Sequence, residues 1–256
     1  MLFTVASHQA YKLRTLDGDI GEVQEFYFDE QCWTIRYVVA ATGTWLRDRQ
    51  VLISPHALTS VAGERREISV ALTKRQIETG PLLTRDTQVS HGFEKSYFEF
   101  FGWPAYWSGP HQWGAHRHIV RTRERRRPAM QRAQGWMPRL RSISDVNGHH
   151  IQAPDGEIGS IAGFLIDDET WEIRYVIVAR RSWWSETKVL LAPEWIERVS
   201  WDKAEVHVAL SRRDVRRSPA YSANTPLTRE DEIRLHHHYR RTGYWDNDRA
   251  LAAHDG

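Results

Sequence analysis

Residues able to do acid–base chemistry recur at a fixed interval along this 256-residue chain. Asp17, Asp29 and Arg36 stand in its first half, and Asp155, Asp167 and Arg174 follow 138 positions later. Carboxylates of this kind can serve a bound substrate as acid and base, but no nucleophile accompanies them. Arg36 lies mid-strand near an acidic turn, so the recurrence favours a local ion pair or hydrogen-bonded clamp in each half. Histidines offer metal chemistry at His236-His237-His238, at His149-His150, and at His111, His116 and His118. Consecutive residues of a helix point about 100° apart, so the three neighbours cannot converge on one ion, and no HExxH spacing occurs. Cys32 is the one cysteine, which leaves no intramolecular disulfide and no CxxC pair. The sequence has no P-loop, GxSxG or GxGxxG motif. The chain is therefore read as not an enzyme, with no catalytic, cofactor-binding or metal-binding residues.

The elements that position these groups come in two copies. Thr15 to Gly21 parallels Ala153 to Gly159, and Trp33 to Val38 parallels Trp171 to Val176, both at the same offset. With the offset held and no gap, Thr15–Trp107 against Ala153–Trp245 shows 27 identities in 93 pairs. Chance would give roughly five or six, so a whole structural unit is duplicated. What recurs in both copies is read as structure, and what appears once is a candidate for function.

Each copy opens with a short strand, Tyr11 to Arg14 or His149 to Gln152, and an Asp-Gly turn that suits a tight hairpin. A mixed, half-exposed strand follows at Ile20 to Asp29 or Ile158 to Asp167. Ile35, Tyr37 and Val39 alternate with Arg36 and Val38, which predicts a strand with one buried face. Trp33 and Trp171 begin this strand, where an indole covers the end of a small core. Shorter strands are expected at Gln50 to Ile53 and Glu67 to Ala71, with counterparts at Lys188 to Leu191 and Glu205 to Ala209. Many short strands joined by tight turns suggest a sheet closed on itself. A helix follows; in the second copy Thr228 and Asp231 read as a capping box, and Gly243 is expected to stop the helix.

Surface candidates come from what is not repeated. Ser108 to Ser142 holds nine arginines and one acid, Glu124, or 9 − 1 = +8, against +2 for the whole chain. Arg117, Arg121, Arg123, Arg125, Arg126, Arg127 and Arg132 belong to no repeat, and Pro128 and Pro138 argue against one continuous helix. A solvated linker is the plain reading; the alternative is binding of nucleic acid or an anionic membrane surface, weakened by salt. Among the dense aromatics of the first tail, Tyr106-Trp107 recurs as Tyr244-Trp245 and is read as packing. Trp103 faces Arg241 in the alignment and Trp113 lies beyond it, so both are candidate partner contacts. No apolar run reaches the roughly 18 residues of a membrane span, and Met1 to Ala10 lacks a basic signal region. A cytoplasmic location is expected, with attachment to the inner face of the membrane as its peripheral variant.

The run DGxIGxxxxFxxDxxxWxIRYVV, then VLLxPxxI, then VxLSRxxV, resembles the PRC-barrel family, named for the cytoplasmic domain of the photosynthetic reaction-centre H subunit. The C-terminal domain of the ribosome maturation factor belongs to the same superfamily. The likeness covers both copies and nearly all of the chain outside the linker, and is closest to bacterial stand-alone proteins with two such domains. It implies small barrels that dock other proteins, with no catalytic residues to carry over. The transmembrane helix of the reaction-centre subunit and the N-terminal domain of the maturation factor have no counterpart here, so neither of those roles is expected.

The expectation is a mainly β protein of two tandem small PRC-type β-barrels, each followed by short helical tail segments. The first barrel and tail span 1–107, an arginine-rich linker 108–142, the second barrel and tail 143–245, and a C-terminal tail 246–256. The barrels are expected to pack about a pseudo-twofold axis and to act as an adaptor for a protein partner, with self-association of the chain as a further option.

Overall fold

The same succession of strands forms twice, because the same apolar alternation and the same Asp-Gly turns occur twice. In the first copy the order is β1 (Leu2–Val5), β2 (Lys12–Thr15), β3 (Gly18–Asp29), β4 (Thr34–Ala41), β5 (Arg49–Ile53), β6 (Leu58–Ala62), β7 (Glu67–Val70), α1 (Lys74–Thr79), β8 (Leu83–Thr84) and α2 (His91–Phe101). The second copy runs β9 (Leu140–Ser142), α3 (Ile143–Val146), β10 (His150–Ala153), β11 (Gly156–Asp167), β12 (Ile173–Arg181), β13 (Glu186–Leu191), β14 (Ile196–Ser200), β15 (Glu205–Val208), α4 (Arg212–Arg216) and α5 (Arg229–His238). The computed structural model describes residues 1–6, 10–43, 45–46, 49–84, 89–107, 139–181 and 186–246.

The chain is mainly β and divides into two compact units. One comprises Gln9–Ile143 with Asp168–Glu172; the other comprises Met1–His8, Ser144–Asp167 and Ile173–Gly256. In the first, the described strands run β6-β7-β2-β3-β4-β5-β8, and β9 joins the free part of β3. In the second they run β13-β12-β11-β10-β15-β14, and β1 joins β11. The leading strand of each copy thus adds to the sheet built from the other copy. The registers match: Leu2 lies opposite Asp167, and Leu140 lies opposite Asp29.

β3 spans 12 residues and serves three neighbours by bending. Its pairing with β4 shifts register between Val23 and Glu25 and again between Tyr27 and Phe28, and such bulges sharpen the local twist. β11 shifts at the corresponding places against β12. Gly21, at φ 126°, sits at the tightest approach, where a Cβ would overlap the Ala41 carbonyl oxygen. Only glycine fits there.

Three local expectations need correction. β4 is buried from Thr34 through Ala40 rather than on one face. Tyr37 and Val39 pack against Tyr97 and Phe98 of α2, while Val38 and Arg36 on the opposite face are also closed to solvent. Arg36 imitates a solvent-facing position because a paired arginine can be buried. Next, β6 and β14 form where the sequence pattern predicts no strand; their residues are intermediate or exposed, and the sequences LTSVA and IERVS carry little apolar alternation. Finally, α5 ends at His238 because Arg240 turns into the left-handed region at φ 53°, before Gly243 is reached. Gly102 does the same for α2 at φ 67°.

Trp33 and Trp171 also adopt positive φ, 54° and 57°, at the turn that enters β4 or β12. A bulky residue held there costs on the order of 1–3 kcal/mol, which burial of the indole offsets. Both rings are buried, and Trp33 packs on Phe28 with centroids 5.3 Å apart.

Candidate functional site

In the first-copy unit a chain of polar side chains ties β3, β4, α2 and the aromatic tail together. Asp29, fully buried at the end of β3, receives the Arg36 guanidinium at 3.3 Å and the Gln31 N–H at 2.9 Å. The Arg36 guanidinium lies over the Tyr106 ring, 4.1 Å from its centroid. Tyr106 donates to Glu94 Oε1 at 2.6 Å, and Tyr37 donates to the same oxygen at 3.0 Å. Glu94 is in the first turn of α2, which Ser90 caps by accepting the Phe93 N–H. Helix start and carboxylate therefore suit one another. Tyr97 adds a bond to the Leu52 carbonyl at 2.9 Å.

Burial sets the electrostatics. It raises the Glu94 carboxyl above its ordinary range, against the opposing pull of the Tyr106 and Tyr37 hydroxyls. It also raises the phenols of Tyr37 and Tyr106 well above theirs, with the Glu94 charge adding to the shift. A phenol that holds its proton so firmly is a hydrogen-bond donor.

The second-copy unit repeats the arrangement. Arg174 Nε and Nη2 both donate to Asp167 Oδ2 at 3.1 Å, and the guanidinium lies 4.1 Å from the Tyr244 ring centroid. Tyr175 and Tyr244 each reach Glu232 Oε2 at 2.9 Å. Two groups are added. Arg229 pairs with Glu232 at 3.1 Å, and His236 Nε2 lies 3.1 Å from the Tyr175 hydroxyl. His236 Nδ1–H donates to the Thr242 carbonyl at 3.0 Å, and burial lowers the pKa of the ring.

Of the recurring charged residues, Asp29 pairs with Arg36 and Asp167 with Arg174, as the clamp reading expects. Asp17 and Asp155 do not take part. Asp17 Oδ1 instead accepts the Lys74 N–H at the start of α1, and Asp155 Oδ1 accepts the Arg212 N–H at the start of α4, each at 2.8 Å. The three consecutive histidines diverge, with His236 inside the clamp and His238 Nε2 at 2.8 Å from the Asp214 carbonyl. Among the described residues no group of His, Cys, Asp and Glu is arranged to hold a metal ion.

Trp103, a candidate partner contact, is half-buried. It stacks on Phe101 at 4.6 Å between centroids and on His56 at 5.6 Å, at the margin of the aromatic cluster around Tyr97. Trp113 and Arg117, Arg121, Arg123, Arg125, Arg126 and Arg127 lie outside the described residues. Glu94 and Glu232, the hubs of the two clamps, escaped the sequence reading. Their signal was present: between Thr87 and Tyr106, Glu94 is the one residue identical to its counterpart.

The clamp groups of the first-copy unit are at most 6% exposed, so they act on one another. Their arrangement can fix a helix and an aromatic tail to a sheet and can hold Arg36 charged in the interior. The chain matches no protein-family model and no curated protein sequence.

Proposed function

We propose that this protein is a non-catalytic docking module of the PRC-barrel kind, in which two bent sheets serve as small barrels that present different surfaces to a protein partner. The observation that carries this reading is the division between repeated and unrepeated residues. Asp29, Arg36, Tyr37, Glu94 and Tyr106 recur as Asp167, Arg174, Tyr175, Glu232 and Tyr244, and in both units they bond to one another. The repeated chemistry supports the frame, and the copies differ around it. The first copy surrounds its clamp with Tyr97, Phe98, Phe101 and Trp103; the second places Leu235, His236, Tyr239 and Arg241 at those positions. The barrel assignment is supported by the bends in β3 and β11 and by the parallel pairing of β2 with β7 and β10 with β15.

A second reading, favoured by the +8 charge of Ser108 to Ser142, is binding of nucleic acid or an anionic membrane surface through the linker arginines. Affinity capture from native lysate with and without nuclease separates the two. A discrete protein recovered in both samples supports docking. Recovery abolished by nuclease, and also by replacing Arg125, Arg126 and Arg127 with alanine, supports the second reading and sinks the first.

A further inference from the structure

The surface of the second-copy unit carries a concentration of guanidinium that its twin lacks. Asp155, Arg212, Arg213, Arg216 and Arg217 line a hollow of about 360 Å³ beside α4. Their formal charges sum to 4 − 1 = +3. The equivalent positions in the first copy are Asp17, Lys74, Arg75, Glu78 and Thr79, which sum to 2 − 2 = 0. The backbone frame is the same in both, since each aspartate caps its helix through an equivalent 2.8 Å bond. Duplication kept the frame, and one copy filled it with arginine.

This cluster has no internal explanation. Arg213, Arg216 and Arg217 are exposed, Arg212 is half-buried, and Val215 between them is fully buried and anchors the helix. Asp155 spends one carboxylate oxygen on the Arg212 N–H rather than on a guanidinium. Among the described residues none of the four arginines has a side-chain ion pair. Like charges gathered around a concavity repel one another and focus a positive potential into it. Guanidinium forks match phosphate oxygens in a way that lysine does not. A single carboxylate would leave most of the charge uncompensated, whereas two linked phosphates carry a charge of comparable size.

We propose that this hollow binds a pyrophosphate-type group, either as the free anion or as the phosphate end of a nucleoside diphosphate. The proposal is independent of the docking reading, since neither requires the other.

The test is calorimetric titration of the full chain with inorganic pyrophosphate at low and high salt, with a nucleoside diphosphate as a second arm. One binding equivalent is expected, weakened by salt. Arg216→Glu with Arg217→Thr gives the hollow its twin's residues at these two positions and leaves the linker arginines in place. Binding should fall by at least roughly tenfold, with the thermal midpoint unchanged because both side chains are exposed. The reciprocal pair Glu78→Arg and Thr79→Arg in the first copy should create a second equivalent, which keeps the proposal testable if the first variant folds poorly. A nucleoside diphosphate that binds more tightly than pyrophosphate assigns the ligand to nucleotides; equal affinity assigns it to the bare diphosphate. Undiminished binding in the Arg216→Glu, Arg217→Thr variant, a reciprocal variant without a second equivalent, or no binding at low salt overturns the proposal.

Discussion

Glu94 and Tyr106 are joined by a buried 2.6 Å hydrogen bond that pins the aromatic tail to the first turn of α2. Because burial raises the Glu94 carboxyl, the folded chain binds that proton more tightly than the unfolded chain does. The resulting stability is fully present below the ordinary glutamate range and is lost as pH rises through the higher folded value. Relative to Glu94→Gln, the wild-type chain should therefore gain stability on acidification from neutral pH. Paired urea melts of the two proteins across the acid range check this, and a difference that moves the other way would contradict the assignment.

The Asp29–Arg36 pair makes a sharper energetic prediction. Arg36→Met leaves the fully buried Asp29 carboxylate without its countercharge, which costs about 3–5 kcal/mol. Replacing both partners, as Asp29→Leu with Arg36→Met, should cost clearly less. The order single worse than double, read from denaturation midpoints, is the signature of a buried pair.

The exchange of leading strands predicts damage at a distance in sequence. Phe3 and Val5 are buried at 5% and 4% exposure, and β1 pairs with Phe164 to Asp167. Phe3→Ala should cost about 3–5 kcal/mol and speed hydrogen exchange along β11, while the amides of β3 keep their protection. Faster exchange in β3 rather than β11 would contradict the pairing.

The sequence made the repeat, most strands and the Thr228–Asp231 capping box legible, because each depends on local pattern. What it concealed depends on tertiary neighbours. Leu2–Val5 and Leu140–Ser142 are too short to show a period, and the second was absorbed into the arginine-rich linker, where Arg141 in fact pairs with Glu30 at 2.8 Å. Arg36 suggested an exposed face because nothing local shows that Asp29 and Tyr106 enclose it. Glu94 was hidden by its helix, whose other residues differ between copies. Trp103 stood out by type, and the structure gives it to the edge of the aromatic cluster.

The most direct test of the division between frame and surface is the chain carrying both Tyr37→Phe and Tyr175→Phe. Each substitution removes one hydroxyl from a clamp and leaves the ring in place. The variant should denature at lower urea, by about 1.5–3 kcal/mol per site, yet recover the same partner as the wild type when folded. Loss of the partner with an unchanged denaturation midpoint would mean that these hydroxyls meet a ligand, and would contradict the account.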